Sequence, residues 1–486
     1  MVTAPRYHVL LVVPVAHPLA QGMREVAETL VHGLRHSGRQ ASLAVNGIDG
    51  GAANIVLNPH LLGAEAAQAL PPGTILYNFE DVHCGLEPVK LRYVDLVRRH
   101  VTWDASRRNV EAWKRYVPGV RVAYVPLGYA PEMTRIAGAT EDVDVLFEGA
   151  MSERVERILK ALDSRGVRVV NGYGSSGPAR DALVSRAKLV LDLRHRDGAI
   201  VEMQRLAYLL SNRKVVVAEV DAGTDIDDDL RDAVAGAPLD GLVERCAALL
   251  ADDAARRALA ERGHAAFVRR SQARILDAAL RVDPSPAPID SLPVPRRLNA
   301  GSGKGWRIDC LNVDIDPLWR PDLAADLGKP LPAREAIDLG RFGRRELPFD
   351  YFDEIHASHV LEHIPDLATA MGTFLALLRE GGTLHAEVPY DLSYGAWQDP
   401  THVRAMNERS WLYYTDWFWY LGWQEHRFEL AQLSYVLSDL GRKLSAAATS
   451  SEDLARIPRA VDAMRVVLRK VKLTDEERRR GADRWA

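Results

Sequence analysis

The 486-residue sequence predicts an α/β chain built from parallel sheets covered by helices. Three observations point there. Short runs rich in Val, Leu and Ile are apolar throughout, as strands buried on both faces are. Stretches of helical periodicity separate them. A break from Asp283 to Pro295, with five prolines in thirteen residues, cannot continue a helix or enter a central strand. It reads as a semi-extended linker, 283–295, between residues 1–282 and 296–486.

Taken in order, His8-Val-Leu-Leu-Val-Val-Pro is the first strand, Gln21 to His36 a helix, and Ala41-Ser-Leu-Ala-Val-Asn the next strand. Ile75-Leu-Tyr-Asn, His100-Val-Thr-Trp and Arg121-Val-Ala-Tyr-Val-Pro follow as short strands. After Gly138 the pattern restarts. Asp144-Val-Leu-Phe-Glu-Gly, Val167-Arg-Val-Val, Lys188-Leu-Val-Leu-Asp-Leu and Lys214-Val-Val-Val-Ala-Glu read as strands. Helices lie from Ser152 to Arg165 and from Ala199 to Ser211, and further ones close the unit between Leu239 and Val282. The restart predicts two halves, about 1–138 and 139–282, facing a cleft.

Beyond the linker, Arg297-Leu-Asn-Ala is a strand running into Gly301-Ser-Gly-Lys-Gly. Leu311-Asn-Val-Asp-Ile, Phe352-Asp-Glu-Ile-His-Ala and Thr383-Leu-His-Ala-Glu-Val are further strands. Leu367 to Arg379 is a helix, with Gly381-Gly382 as the turn after it. Leu454 to Arg480 reads as a charged, solvated helical extension.

Composition narrows the function. With 47% hydrophobic and 26% charged residues, disorder and low-complexity classes fall away. A net charge of −4, from 62 basic and 66 acidic residues, gives no reason to expect nucleic acid or an anionic membrane as partner. Cys84, Cys246 and Cys310 are far apart, which argues against a disulfide framework and for a cytoplasmic location. The apolar run Val9 to Val15 leads to no small-residue cleavage site and reads as a strand, not a signal peptide. No apolar run reaches the ~18–20 residues that span a bilayer. Oligomeric state is not legible.

Glycines 301, 303 and 305 stand where a strand ends, allowing a tight turn and close approach of backbone to a ligand. Asp314, ending the next strand, is placed to accept hydrogen bonds from both hydroxyls of a ribose. These residues, with Ala325-Asp-Leu327, His359-Val-Leu-Glu-His363 and Arg379-Glu-Gly-Gly-Thr-Leu384, resemble the class I S-adenosylmethionine-dependent methyltransferases over roughly 296–425. The resemblance implies a Rossmann-like domain with S-adenosylmethionine as cofactor. Gly301 and Gly303 would approach its amino acid part, with Gly305 a further cofactor-binding glycine; Asp314 would hold its ribose, Asp316 being the competing acid, and Asp326 would sit near its adenine. Trp306-Arg-Ile-Asp leaves little room for the usual first helix.

Methyl transfer to a hydroxyl wants a base near the acceptor, and histidine suits that at neutral pH. His402, in Asp399-Pro-Thr-His, is the first candidate base and His359 the second, with Asp399 as partner. His363 reads as structural. Asp399 with His402 also makes a divalent metal possible, without a third ligand in view. The segment Trp397 to Trp423 reads as core, carbohydrate platform or interface.

The first part, with Tyr77-Asn-Phe-Glu80, Trp103-Asp-Ala-Ser106, Val125-Pro-Leu-Gly-Tyr129, Asp144-Val-Leu-Phe147 and Tyr208 to Glu219, resembles GT-B glycosyltransferases over roughly 7–280. That implies a nucleotide sugar bound by the second half, with Gly149 and Arg154 at its phosphates and Glu202 at its ribose. The family presents a second acid along that helix; Leu210 stands there. His17 and Asp104 are candidates for acceptor binding. The expectation is a bifunctional enzyme of bacterial polysaccharide biosynthesis, joining sugar transfer to O-methylation of a saccharide acceptor. The alternatives are a methyltransferase with a glycan-binding first domain, a natural-product tailoring enzyme, and a non-enzymatic scaffold.

Overall fold

The structure, a computed structural model, describes residues 6–82, 91–117, 119–194, 198–285, 292–332, 335–447 and 449–482. The chain divides into two compact units, Met1–Pro288 and Ile289–Ala486. The division falls in the proline-rich stretch, of which 286–291 lie outside the described residues, as does Cys84. Cys246 and Cys310 are buried free thiols. No helix among the described residues is long and apolar enough to cross a membrane.

The N-terminal unit holds two parallel sheets. In the first, β1 (Arg6–Leu11), β2 (Gln40–Val45), β3 (Ala53–Leu57), β4 (Ile75–Asn78), β5 (Val101–Asp104) and β6 (Val122–Tyr124) lie in the order β2-β1-β3-β4-β5-β6. Strand β3 is one the sequence reading passes over. Its Ala-Asn-Ile-Val-Leu run is short and follows a glycine-rich loop, yet Ile55 to Leu57 are fully buried. In the second sheet, β7 (Val143–Phe147), β8 (Val169–Asn171), β9 (Ala187–Asp192), β10 (Val216–Glu219) and β11 (Ala235–Ala237) lie in the order β11-β10-β9-β7-β8. Strand order reverses between β1 and β3 in one sheet and between β7 and β9 in the other. Such reversals open a crevice at the carboxyl ends of the strands.

The C-terminal unit is built on one seven-stranded sheet. Its strands are β12 (Arg297–Ala300), β13 (Leu311–Asp314) and β14 (Leu323–Ala324), then β17 (Phe352–Ser358), β18 (Leu378–Pro389), β19 (His426–Leu437) and β20 (Val461–Lys472). A small antiparallel pair, β15 (Ala336–Asp338) and β16 (Arg344–Glu346), precedes β17. The order is β14-β13-β12-β17-β18-β20-β19, with β20 antiparallel to both its neighbours. Five parallel strands thus form a doubly wound sheet that reverses between β12 and β17. The core is the Leu, Ile, Val and Phe of these strands with the helix Leu367–Leu377.

Two expectations need correction here. The stretch from Leu454 to Arg480 is not one helix: Val461–Lys472 is a strand between two others. From Met464 to Lys470 buried residues alternate with less buried ones, a period of two disguised by Val467 on the outer face and by the buried Lys470 on the inner one. Gly381-Gly382 is not a turn between elements but part of a bulge. Phe352 pairs with Leu378 and Glu354 with Thr383, so the intervening residues of β18 loop out.

No α-helix lies between β12 and β13. A buried polar network fills that place. Arg341 donates to Asp322 at 2.8 Å and to the Ile308 carbonyl at 2.7 Å, and stacks on Trp306. Asn312 donates to the Arg307 carbonyl at 2.7 Å and accepts from Asn299 at 3.1 Å. The loop's backbone groups are satisfied by side chains instead of by helix.

Two candidate active sites

The glycine loop sits at the reversal of the C-terminal sheet. Gly301 and Gly303 have φ of +61° and +39°, which L side chains rarely adopt. A Cβ on Gly301 would lie 2.3 Å from Val360 Cγ2, so the loop after β12 packs directly on the segment after β17. Asp314 is buried at the end of β13. Its Oδ2 accepts from the Gly303 N–H at 2.7 Å and its Oδ1 from the Asp316 N–H at 2.9 Å. Each oxygen keeps a lone pair. The Ser302 Oγ is buried without a hydrogen-bond partner. An orphaned hydroxyl beside a half-satisfied carboxylate fits the sugar and amino acid groups of S-adenosylmethionine. Gly305 offers its carbonyl to Asn299 and crowds nothing. Asp326, after β14, caps its own turn through Gly328 and pairs with Lys329 at 3.2 Å.

Beyond Val360 opens a cavity of about 550 Å³. His359, Glu362, His363, Glu387, Asp399 and His402 line it. His359 has φ of +53° and a half-exposed ring, with Nδ1 3.4 Å from Glu362 and Nε2 3.6 Å from Glu387. The Glu362 carboxylate raises its pKa above the usual histidine value, and Glu387 adds to that. Asp399 accepts from the Thr401 N–H at 2.8 Å and hydroxyl at 2.7 Å, which holds its carboxyl below the usual range. His402 makes a 3.1 Å bond from Nδ1 to the Ala396 carbonyl. The structure therefore gathers His359, Asp399 and His402 around one cavity and adds Glu362, which sequence reasoning passed over. Of the aromatic segment, Trp411, Tyr414 and Phe418 are core, while Trp397, Tyr413 and Tyr420 are exposed.

One cavity of the N-terminal unit, about 230 Å³, lies between the segment after β1 and the loops after β7, β8 and β9. Pro18, Leu19 and Met23, after β1, form one wall; Glu148, the Gly172–Ser176 loop, Arg180, Glu202 and Arg205 form the other. Arg205 bridges Asp192 at 2.9 Å and Glu202 at 2.6 Å. Burial pushes the Asp192 carboxyl up to about 6 and raises Glu148 as well.

Three expectations are redirected. Arg154 does not line this cavity; it is tied to Glu219 at 2.7 Å. Gly149 is crowded by the Phe147 ring, which a Cβ would meet at 2.4 Å, and that explains the glycine without a ligand. Asp104 is wholly buried, accepting from Asn78, Ser106, Asn109 and Trp113, and holds the carboxyl end of β5 to its surroundings rather than an acceptor. His17 is exposed beside the wall. Gly172-Tyr-Gly174-Ser-Ser-Gly177 went unread although its signal was present. It has the G-x-G-x-x-G spacing, directly after β8 and opening the helix Gly177–Arg186.

Residues 254–434 match a family model described as a methyltransferase domain. The match takes in the glycine loop, Asp314 and the His359–His402 cavity, and begins inside the N-terminal unit. Among solved structures, a SAM-dependent methyltransferase from Archaeoglobus fulgidus is 18% identical, covering 36% of this chain and 86% of its own, with a TM-score of 0.22. AviGT4, a glycosyltransferase involved in avilamycin A biosynthesis, is 16% identical, covering 57% and 96%, with a TM-score of 0.39. A sucrose-phosphate synthase from Thermosynechococcus elongatus is 9% identical, covering 57% and 98%, with a TM-score of 0.42. No curated protein sequence matches the chain.

Proposed function

We propose that the chain joins two transferase activities on one glycan or glycoside: sugar transfer in the N-terminal unit and O-methylation of a saccharide hydroxyl in the C-terminal unit. The observation that carries the methyl-transfer half is the packing of Val360 on Gly301. It sets the glycine loop and the histidine-lined cavity side by side at one sheet reversal, the kind of place where open α/β sheets bind ligands. Bound S-adenosylmethionine would supply a methyl group on a cationic sulfur, so that an acceptor oxygen forms the C–O bond as the C–S pair returns to sulfur. Asp314 would hold the ribose through its two remaining lone pairs, and Asp326 would stand near the adenine. The His359 ring, open to the cavity, would take the hydroxyl proton. His402 suits that role less well, since its ring is anchored through Ala396 and turned against His363 at 4.6 Å. Asp399 would position the loop rather than move a proton.

In the N-terminal unit, the Gly172–Gly177 loop and the first turn of the helix it opens would cradle a nucleotide diphosphate. Arg180 would supply charge, and Glu202 would hold the ribose. A glycan-binding rather than catalytic role for this unit is favoured by one feature: Leu210, at the position of the family's second acid, is packed in the apolar core and does not line the cavity.

Purified chain incubated with labelled S-adenosylmethionine and a panel of glycosides should transfer label to a sugar hydroxyl. Nucleoside diphosphates of uridine, guanosine and thymidine, titrated in parallel, decide the other half. Binding that disappears in Glu202→Ala supports sugar transfer. No binding by any of them assigns the unit to glycan recognition.

A further inference from the structure

Glu362 is 2% exposed, and neither carboxylate oxygen receives a hydrogen bond. A buried carboxylate left so costs several kcal/mol unless a cation meets it. His359 at 3.4 Å offers one ion-pair partner. His363 and His402 each bring a ring nitrogen within 4.8 Å of a Glu362 oxygen and of each other.

Hydrogen bonding sets which nitrogens are free to bind an ion. The Ala396 carbonyl can only accept, so the His402 Nδ1 carries its proton. The Thr401 hydroxyl gives its one proton to Asp399, so it can only accept from the His363 Nδ1 at 2.9 Å. Both rings therefore have Nδ1 protonated and anchored, with the Nε2 lone pair left over. Metal-bound histidines are held this way, the far nitrogen donating to a carbonyl or to a carboxylate-supported group. The Val403 N–H to Glu362 carbonyl bond, 2.9 Å, ties the His402 loop to the Glu362 turn.

We propose that Glu362, His363 and His402 bind one divalent transition-metal ion, with its open positions facing the 550 Å³ cavity. Two imidazoles and a carboxylate favour zinc, cobalt or iron over magnesium and calcium. Three protein ligands with an open position is the pattern of a catalytic rather than a structural site. Resting on the methyltransferase reading, the ion's ligand would be the acceptor's hydroxyl, whose proton becomes easier to remove once bound. Asp399 is then an outer support acting through Thr401 and His363.

The test strips the full chain with a chelator and titrates Zn²⁺ alone by calorimetry and Co²⁺ alone by visible absorption. One ion per chain is expected, with cobalt bands of low coordination number. Glu362→Gln and His402→Ala should abolish stoichiometric uptake, and Asp399→Asn should weaken it about 10–100-fold. Thermal midpoints without metal show whether each variant is folded; Glu362→Gln, nearly isosteric, carries the test if His402→Ala is not. Absence of stoichiometric uptake by the wild-type chain overturns the site, as does an unchanged affinity and spectrum in Glu362→Gln. Neither titration contains methyl donor or acceptor. Uptake without methyl transfer upholds the site and sinks the function, and methyl transfer by stripped chain without uptake does the reverse.

Discussion

Asp314 spends one lone pair of each carboxylate oxygen on the Gly303 and Asp316 N–H groups, leaving one on each, which in the proposed function would take the two hydroxyls of a ribose. Asp314→Ala should weaken binding of S-adenosylmethionine, or of its demethylated product, by about 1–3 kcal/mol, the value of charge-assisted bonds. Calorimetry on the folded variant checks this, and equal affinity removes Asp314 from the role. Asp104 shows the opposite use of a carboxylate. Burial pushes its pKa up to about 7, against four donors that favour the charged form; unfolded, it titrates near 3.8. Between those values the folded state holds a proton that the unfolded state has lost. The contribution to stability is thus complete below about pH 4 and gone above about pH 7. Denaturant unfolding of wild type and Asp104→Asn should differ by an amount that changes across that window. A constant difference would remove Asp104 as the source.

At the scale of elements, the loop after β12 and the turn after β17 work as one unit because Gly301 lets them touch. Gly301→Ala should cost stability, about 1–3 kcal/mol for the strained φ alone. It should also weaken cofactor binding as Val360 is displaced. Val360→Ala in the same chain should recover part of the loss, since it removes the Cγ atoms that the new Cβ meets. A double-mutant cycle reads that coupling, and strict additivity would separate the two elements. The network that replaces a helix between β12 and β13 hangs on Arg341. Arg341→Met should destabilise the C-terminal unit by about 3–5 kcal/mol, because the buried Asp322 would lose the Arg341 cation and keep only its bonds from Asn312. A loss below 1 kcal/mol by denaturant titration would show that the network is not structural.

For the whole molecule, each compact unit has its own apolar core, so each can respond separately to ligand. S-adenosylhomocysteine should raise the melting midpoint of one unit and leave the other in place, because a ligand stabilises only the fold that binds it. Calorimetric scanning with and without ligand should show one moving transition, and a single transition moving as a whole would mean that the units unfold together.

The sequence by itself determined the α/β class and the glycine loop with Asp314. Those depend on local pattern: uniformly apolar strands, turn residues, and an acid one strand further on. The same locality explains what went unread. Strand β20 hides its alternation from Met464 to Lys470 behind Val467 on the outer face and Lys470 on the inner one, and only pairing with β18 and β19 makes it a strand. Arg154 looked free for phosphate until Glu219, 65 positions away, took it. Glu202 and the Gly172–Gly177 loop, thirty positions apart and following β9 and β8, meet only because both lie at the carboxyl edge of one sheet. The Glu362, His363 and His402 cluster was half legible, since His359-Val-Leu-Glu-His363 was read for its histidines and Glu362 was overlooked. Tertiary structure decided the rest. It buried that carboxylate without a donor and brought His402 to it from beyond β18, and partners that far apart in sequence carry no local signal.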